Sequence, residues 1–267
     1  MKKLSFVLIA FALMACKTEP RKASTEPKVQ ADEVSQSQKY PTDLSKVFAL
    51  HGELERWNEM RTLSFEIPNP EGVETHTIDL WSRQDHVATD KFSMGYDGQD
   101  VWLSDPQDVY KGDAAFYHNL MFYFYAMPFV LADDGIVYSE TEPLVFENVS
   151  YPGIKIGYET GVGISSKDEY FVHYNPETYR MEWLGYTVTY MSGEPSDNVR
   201  WIRYDDWQSV EGLMLPKTIT WHNYEGSTIL DARDTLPFNN VTLSSMAKPK
   251  EFYKKPENAA PVEVKKS

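Results

Sequence analysis

The chain contains one cysteine, Cys16, in 267 residues. No disulfide can form within it, so burial and hydrogen bonding alone must hold the fold, even in an oxidising compartment. Positive charge is also scarce: 26 Lys and Arg stand against 40 Asp and Glu, giving a net charge of −14. A surface of that sign repels phosphodiester backbones and anionic headgroups, which argues against nucleic acid as a partner and against electrostatic adhesion to a bilayer. Signatures of chemistry are missing too. The histidines at 51, 76, 86, 118, 173 and 222 fall in no HExxH or HxH spacing, so no metal site is expected. There is no Gly-x-Ser-x-Gly elbow and no P-loop, and Gly161-Val162-Gly163 reads as a plain turn. Asp133-Asp134 and Asp205-Asp206 are adjacent carboxylates. On a strand such neighbours point to opposite faces and make no catalytic dyad. Asp133-Asp134-Gly135 reads as a helix stop and Tyr204-Asp205-Asp206-Trp207 as a strand end. His173 and His222, on predicted strands, are the pair best placed to meet, although a structural histidine is the simpler reading of each. No cofactor is expected, and the chain reads as non-catalytic.

Cys16 is placed for another chemistry. Lys2 and Lys3 open the chain, an apolar run follows, and the segment closes with Leu13-Met14-Ala15-Cys16. Residues 1–15 read as a signal peptide. A small residue before the cysteine resembles the lipobox of bacterial lipoproteins, which implies that Cys16 is acylated and becomes the mature N-terminus. Each buried methylene contributes about 0.8 kcal/mol, and stable anchoring takes more than one chain. The three chains carried by that family imply a protein held on a membrane without spanning it. Loss of Lys2 and Lys3 takes the charge from −14 to −16, so attachment is expected from lipid rather than from electrostatics. Residues 16–39 form the lipidated cysteine and a flexible tether: beyond alanine, only Val29 and Val34 are aliphatic among Pro, Ser, Glu and Lys. Residues 250–267 read as a flexible C-terminal tail. Between them, residues 40–249 suffice for one sizeable domain.

Periodicity fills in the body. A helix is predicted from Thr42 or Asp43 to about Met60, with Leu44, Val47, Phe48, Leu50, Leu54 and Trp57 at helical spacing. From Leu63 the period shortens to that of strands, broken by turn signals such as Asp97-Gly98 and Asn175-Pro176-Glu177-Thr178. Gly185 marks a slip of apolar phase, as at a β-bulge. About ten strands and two helices give an α+β class: a curved antiparallel sheet forming an incomplete β-barrel, with an N-terminal helix and a buried mid-chain helix.

That second helix comes from Ala114–Ala132, nineteen residues without a formal charge in an acidic chain. A transmembrane span fits the length, but His118, Asn119, three tyrosines and Pro128 interrupt it and aspartates flank it. Phe116, Leu120, Phe124 and Met127 share one helical face, while Met121, Phe122, Tyr125 and Phe129 cover most of the rest. A helix apolar all round is buried all round, and Pro128 is expected to end or kink it. Ordinary core is the plain reading. The sharper one is a plug in the mouth of a half-barrel that admits acyl chains, because methionine and aromatic side chains repack readily.

The layout of lipobox, tether, helix, curved sheet and mid-chain helix resembles the LolA/LolB-like superfamily of periplasmic lipoprotein carriers and outer-membrane lipoproteins. Tyr96-Asp97-Gly98-Gln99-Asp100-Val101-Trp102, Tyr174-Asn175-Pro176-Glu177-Thr178, and Val210-Glu211-Gly212 followed by Leu215-Pro216-Lys217 are similar to its turns. The chain also resembles the DUF6503 lipoproteins of the Bacteroidetes. These resemblances imply a half-barrel whose concave face binds lipid or a passenger lipoprotein's acyl group, lined or covered here by Phe116, Leu120, Met121, Phe124, Met127, Trp183 and Trp221. Lys17 after Cys16 fits release to the outer membrane, with the periplasmic face favoured over the cell surface. With seven Trp and 17 Tyr, a glycan- or protein-binding envelope module is the alternative, and a hydrolase stands behind both. Oligomeric state is not legible. Cys16→Ala is expected to move the protein from the membrane to the soluble fraction and to remove the acyl mass from its N-terminal peptide in mass spectrometry.

Overall fold

The computed structural model describes residues 39–69, 72–159, 167–226 and 228–264. Gln38–Ser267 forms a compact unit distinct from Met1–Ser37. The signal segment, Cys16, nearly all of the tether and the Gly161-Val162-Gly163 turn lie outside the described residues.

The body opens with two short helices, α1 (Thr42–Leu50) and α2 (Leu54–Glu59), in place of the single predicted helix. The break has a packing cause. Gly52 adopts φ 105° and Glu53 φ 73°, and a side chain on Gly52 would collide with the Gly212 carbonyl. The Met214 amide donates to the His51 carbonyl at 2.8 Å, so a neighbouring strand takes the place of the next helical turn. Leu44, Val47, Phe48 and Trp57 all face the core.

Strands β1 (Thr62–Asn69), β2 (Gly72–Asp79), β3 (Asp85–Ala88), β4 (Ser93–Tyr96) and β5 (Val101–Ser104) follow where the shortened period predicted them. Helices α3 (Ala114–Tyr117) and α4 (Leu120–Tyr125) and a 3-10 turn (Phe129–Ala132) come next. Then run β6 (Ile136–Glu140), β7 (Leu144–Phe146), β8 (Val149–Tyr151), β9 (Gly153–Tyr158), β10 (Tyr170–Tyr174), β11 (Met181–Tyr186), β12 (Arg200–Val210), β13 (Leu213–Glu225), β14 (Thr228–Pro237), β15 (Asn239–Ser244) and β16 (Ala260–Pro261). The described residues thus hold 16 strands rather than about ten: β6, β7, β8 and β16 are too short to show a period, β14 is mostly exposed, and β3 and β4 divide one predicted run.

Two antiparallel sheets of seven strands result, ordered β15-β1-β2-β3-β4-β5-β16 and β14-β13-β12-β11-β10-β9-β6. Both are curved and open, not closed into a barrel, and β7 and β8 form a separate hairpin. The sheets meet where β14 of one runs into β15 of the other through Phe238. Phe238 is buried and packs edge-on against Phe65 and Tyr125, at 5.4 and 4.5 Å between ring centres. One core cluster contains residues of both sheets, α1, α2 and the mid-chain segment.

Residues 250–264 are not the loose tail that their composition implied. Lys250–Tyr253 forms a 3-10 turn with Tyr253 buried, and Ala260 and Pro261 pair with Leu103 and Trp102 of β5. One inward aromatic and one strand pairing outweigh a polar average that hides them. Asp205-Asp206 lies within β12, at a register irregularity, and not at a strand end. The phase slip assigned to Gly185 occurs at Glu182, which has no partner between the pairs His173–Trp183 and Tyr174–Met181. Gly185 serves close approach instead, since a Cβ there would meet the Trp201 ring at 2.8 Å.

Burial pushes the His51 and His173 imidazoles down from 6.5 to about 4. Unfolded, each takes up a proton as the pH falls through 6.5, while the fold refuses it until about 4. Their stabilisation is therefore fully present above that upper value and is lost as the pH drops, by at most about 3 kcal/mol each. Urea unfolding between neutral and mildly acidic pH should show this loss, and the His51→Gln/His173→Gln protein should show a shallower slope.

Candidate ligand site

The uncharged stretch lies inside the body, not in solvent. It is broken into α3, α4 and the 3-10 turn rather than forming one helix. Asp113 caps α3 by accepting from the Ala115 and Phe116 amides. The Ala126–Pro128 corner ends α4, as expected at a proline, which has no amide hydrogen to donate. Among the described residues no helix is long and apolar enough to cross a membrane.

Both sheets grip this segment. From the first, Phe65 stacks on Tyr125 at 4.6 Å. From the second, the Tyr204 hydroxyl donates to the Phe124 carbonyl at 2.8 Å and the Tyr138 hydroxyl to the Leu131 carbonyl at 2.6 Å. Phe124 packs against Tyr186 and Trp221 at 5.1 and 6.0 Å, and Trp221 Nε1 donates to the Tyr186 hydroxyl at 3.0 Å. Trp57 of α2 lies flat on Phe129, 4.8 Å away and 7° from parallel.

Of the seven residues expected at a cavity, Phe124 and Met127 are buried in the main core, with Leu120, Met121 and Trp221 packed against it. Phe116 is half-buried and sits on Tyr190 at 5.0 Å. Trp183 stands apart, on the other face of its sheet, in a cluster with Leu144, Tyr151, Trp201 and Ile229. The bulge at Glu182 is the reason: it turns Trp183 away from the side that Met181 faces. The guanidinium of Arg203 lies over Trp183 at 4.7 Å and pairs with Glu182 at 2.8 Å. His173 and His222 rest on tryptophans, Trp201 at 5.7 Å and Trp183 at 5.0 Å.

Sequence reasoning missed two buried histidine–carboxylate pairs where the segment meets the first sheet. His76 Nε2 lies 2.6 Å from Glu74 Oε1, to which the Tyr117 hydroxyl also donates at 2.7 Å. His118 Nδ1 lies 2.7 Å from Asp85 Oδ2. Burial raises the Glu74 carboxyl, but its bonds to His76 and Tyr117 prevail and hold it below the usual value. Burial dominates at Asp85 and pushes its carboxyl up. Glu74 and His76, two apart on β2, share the core-facing side, which is a weak local signal. Asp85 and His118 gave none. Among the described residues no group of three or more His, Cys, Asp or Glu is placed to hold a metal ion. Both pairs pin the segment to the first sheet, Tyr117 through Glu74 and His118 through Asp85.

One open volume lies at the other end of the segment, and another, of about 250 Å³, lies between the β3–β4 turn and the stretch Val109–Gly112. The first, a cleft of about 230 Å³, is lined by Tyr40, Trp57, Leu80, Trp81, Phe129 and Ala132, with Lys39, Asn58, Arg83, Asp133 and Asp134 around them. Arg83 pairs with Asp133 at 2.6 Å. Trp57 and Phe129 lie beneath it and join the main core, while the surface it presents is mainly polar and its rim is charged. Lys39, the last residue of the tether, belongs to that rim.

The described residues form an open two-sheet body with an inserted aromatic segment. The chain belongs to DUF6503, a family of unknown function, whose model matches residues 87–225, more than half of its length. Its fold is similar to a LolA superfamily protein from Nitrosomonas europaea, at 10% identity and TM-score 0.46, over 78% of this chain and 97% of that one. A DUF1329 family protein from Desulfovibrio piger aligns at 9% identity and TM-score 0.45, over 79% and 97%. A putative outer membrane lipoprotein-sorting protein domain from Vibrio parahaemolyticus aligns at 10% identity and TM-score 0.37, over 78% and 97%. No curated protein matches the chain.

Asp85→Ala leaves the buried His118 without its partner and is expected to cost about 3 kcal/mol in urea unfolding. Asp85→Asn keeps an acceptor and should lose less than half of that.

Proposed function

We propose that this chain is a lipid-anchored lipoprotein of the cell envelope, held through Cys16, whose body binds a hydrophobic ligand. The ligand class is a lipid or the acyl chain of a passenger lipoprotein, and binding proceeds without catalysis. The observation that carries the reading is the cleft over Trp57 and Phe129, which continue into the core. The Trp57–Phe129 stack beneath it suits a chain end once the segment shifts, and its charged rim suits a polar head. At about 230 Å³ it is smaller than the roughly 300 Å³ at which ligand pockets begin. A whole acyl chain therefore requires the mid-chain segment to give way, toward the space now filled by Leu120, Met121, Phe124, Met127 and Trp221. Three short turns joined at corners move more easily than one rigid helix. Such an anchored body rests on the outer membrane, by the residue after Cys16, at its periplasmic face.

The test is uptake of a fluorescent fatty acid, together with native mass spectrometry of the extracted protein. Ala132→Trp fills the cleft and should reduce uptake at least tenfold while the melting temperature stays within a few degrees. Phe124→Ala should cost about 3–5 kcal/mol as a buried aromatic. A lipid-free mass and no uptake by the unaltered protein would defeat the reading. Glycan-array binding that depends on exposed Trp81 would favour the alternative.

A further inference from the structure

We infer that the end of the first sheet carrying Trp81, Arg61, Met246, Lys248, Lys250 and Phe252 is a docking surface for an anionic phospholipid bilayer. Register brings its parts together. Thr62 pairs with both Ser244 and Asp79, and Ile78 pairs with Asp85, so Arg61, Trp81 and Met246 all leave the sheet at one end. Trp81 is 63% exposed and Met246 76%, with Phe252 also in solvent. Single exposed apolar residues are ordinary. Here, however, Trp81 and Phe252 each lie against a cation. The Arg61 guanidinium lies 4.6 Å from the Trp81 ring, the Thr62 hydroxyl donates to the Met246 carbonyl at 2.7 Å, and Lys248 Nζ lies 5.6 Å from the Phe252 ring.

Charge selects the occupant. In a chain of net −14, residues 245–255 carry Lys248, Lys250, Lys254 and Lys255 against Glu251 alone. Lys254 lies 3.4 Å from Glu251, and Arg61 holds the nearest buried acid, Asp79, at 2.8 Å. The β4–β5 turn, with Asp97 and Asp100, emerges at this same end of the sheet, two strands along from β2. Tryptophan is favoured at the boundary between headgroups and acyl chains, and each lysine near an anionic surface contributes about fivefold in binding. Beside Trp81, Arg83 pairs with Asp133 and Lys39 lies 3.7 Å from Asp134, so the lysines of residues 245–255 supply the positive charge of this end.

The tether supplies the direction. Lys39 shares a cleft with Trp81, so the chain coming from Cys16 enters the body at this same end. The inference goes beyond ligand binding, and it rests on the proposed anchor only for keeping the body close to the bilayer. Docked this way, the mouth of the cleft opens at the lipid surface.

The experiment reconstitutes the full acylated protein into phosphatidylethanolamine vesicles with and without phosphatidylglycerol, both containing brominated acyl chains. Tryptophan quenching is read alongside flotation. Quenching is expected only with phosphatidylglycerol, is expected to fade in high salt, and is expected to vanish with Trp81→Phe. Lys248→Gln/Lys250→Gln should lower the docked-to-undocked ratio about 25-fold with flotation and fatty-acid uptake unchanged. Flotation with no quenching, or with quenching indifferent to phosphatidylglycerol and to both lysines, overturns the docking surface. A protein that floats with neither vesicle overturns the docking surface and the anchor together, whereas one that floats only with phosphatidylglycerol overturns the anchor alone.

Discussion

The body depends on one constraint: a strip of chain that is apolar on every side must be enclosed on every side. Residues 114–132 cannot be satisfied by a single sheet, because a sheet offers only one face. Two sheets meeting at Phe238 provide the enclosure, and the segment in turn gives each sheet an apolar partner. Removing any one of the three leaves large aromatic surfaces in water, at about 25 cal/mol for each Å² of apolar surface exposed. The body is therefore a mutual arrangement rather than a scaffold with an insert.

Around that apolar contact the polar groups do a narrower job. Glu74, His76 and Tyr117 form one pin, Asp85 and His118 a second, and the hydroxyls of Tyr138 and Tyr204 reach backbone carbonyls of the segment. Buried bonds of this kind add little net stability but penalise any arrangement that leaves a partner unmade. They choose one position for a strip whose greasy surface alone would accept several. The pins crowd the α3 end. The cleft lies at the 3-10 end, where Trp57 and Phe129 stack without a hydrogen bond between them.

The fold was legible wherever period and turn chemistry agreed. The strands from Leu63 to Leu103, the Asp97-Gly98 and Asn175–Thr178 turns, and the burial of the uncharged stretch all follow from residues a few positions apart. What escaped depended on distant partners. Helix α1 stops at Gly52 because the Gly212 carbonyl lies against it. Trp183 faces outward because Glu182 bulges, and all six residues of β11 are buried, so no alternation marks its inward side. The strap at 250–264 hides one buried tyrosine among lysines and prolines. The cleft itself joins residues from 39 to 134, and Asp85–His118 spans 33 positions; no local pattern records such meetings.

The two ends of the first sheet are closed late. Strands β1 to β5 come early in the chain, yet their outer neighbours, β15 and β16, are drawn from residues 239–261. Until those residues are delivered, both margins of that sheet present bare amide and carbonyl rows, the kind of edge that recruits foreign strands. Synthesised from its N-terminus, the chain thus passes its longest vulnerable interval before the residues that seal those margins have been made.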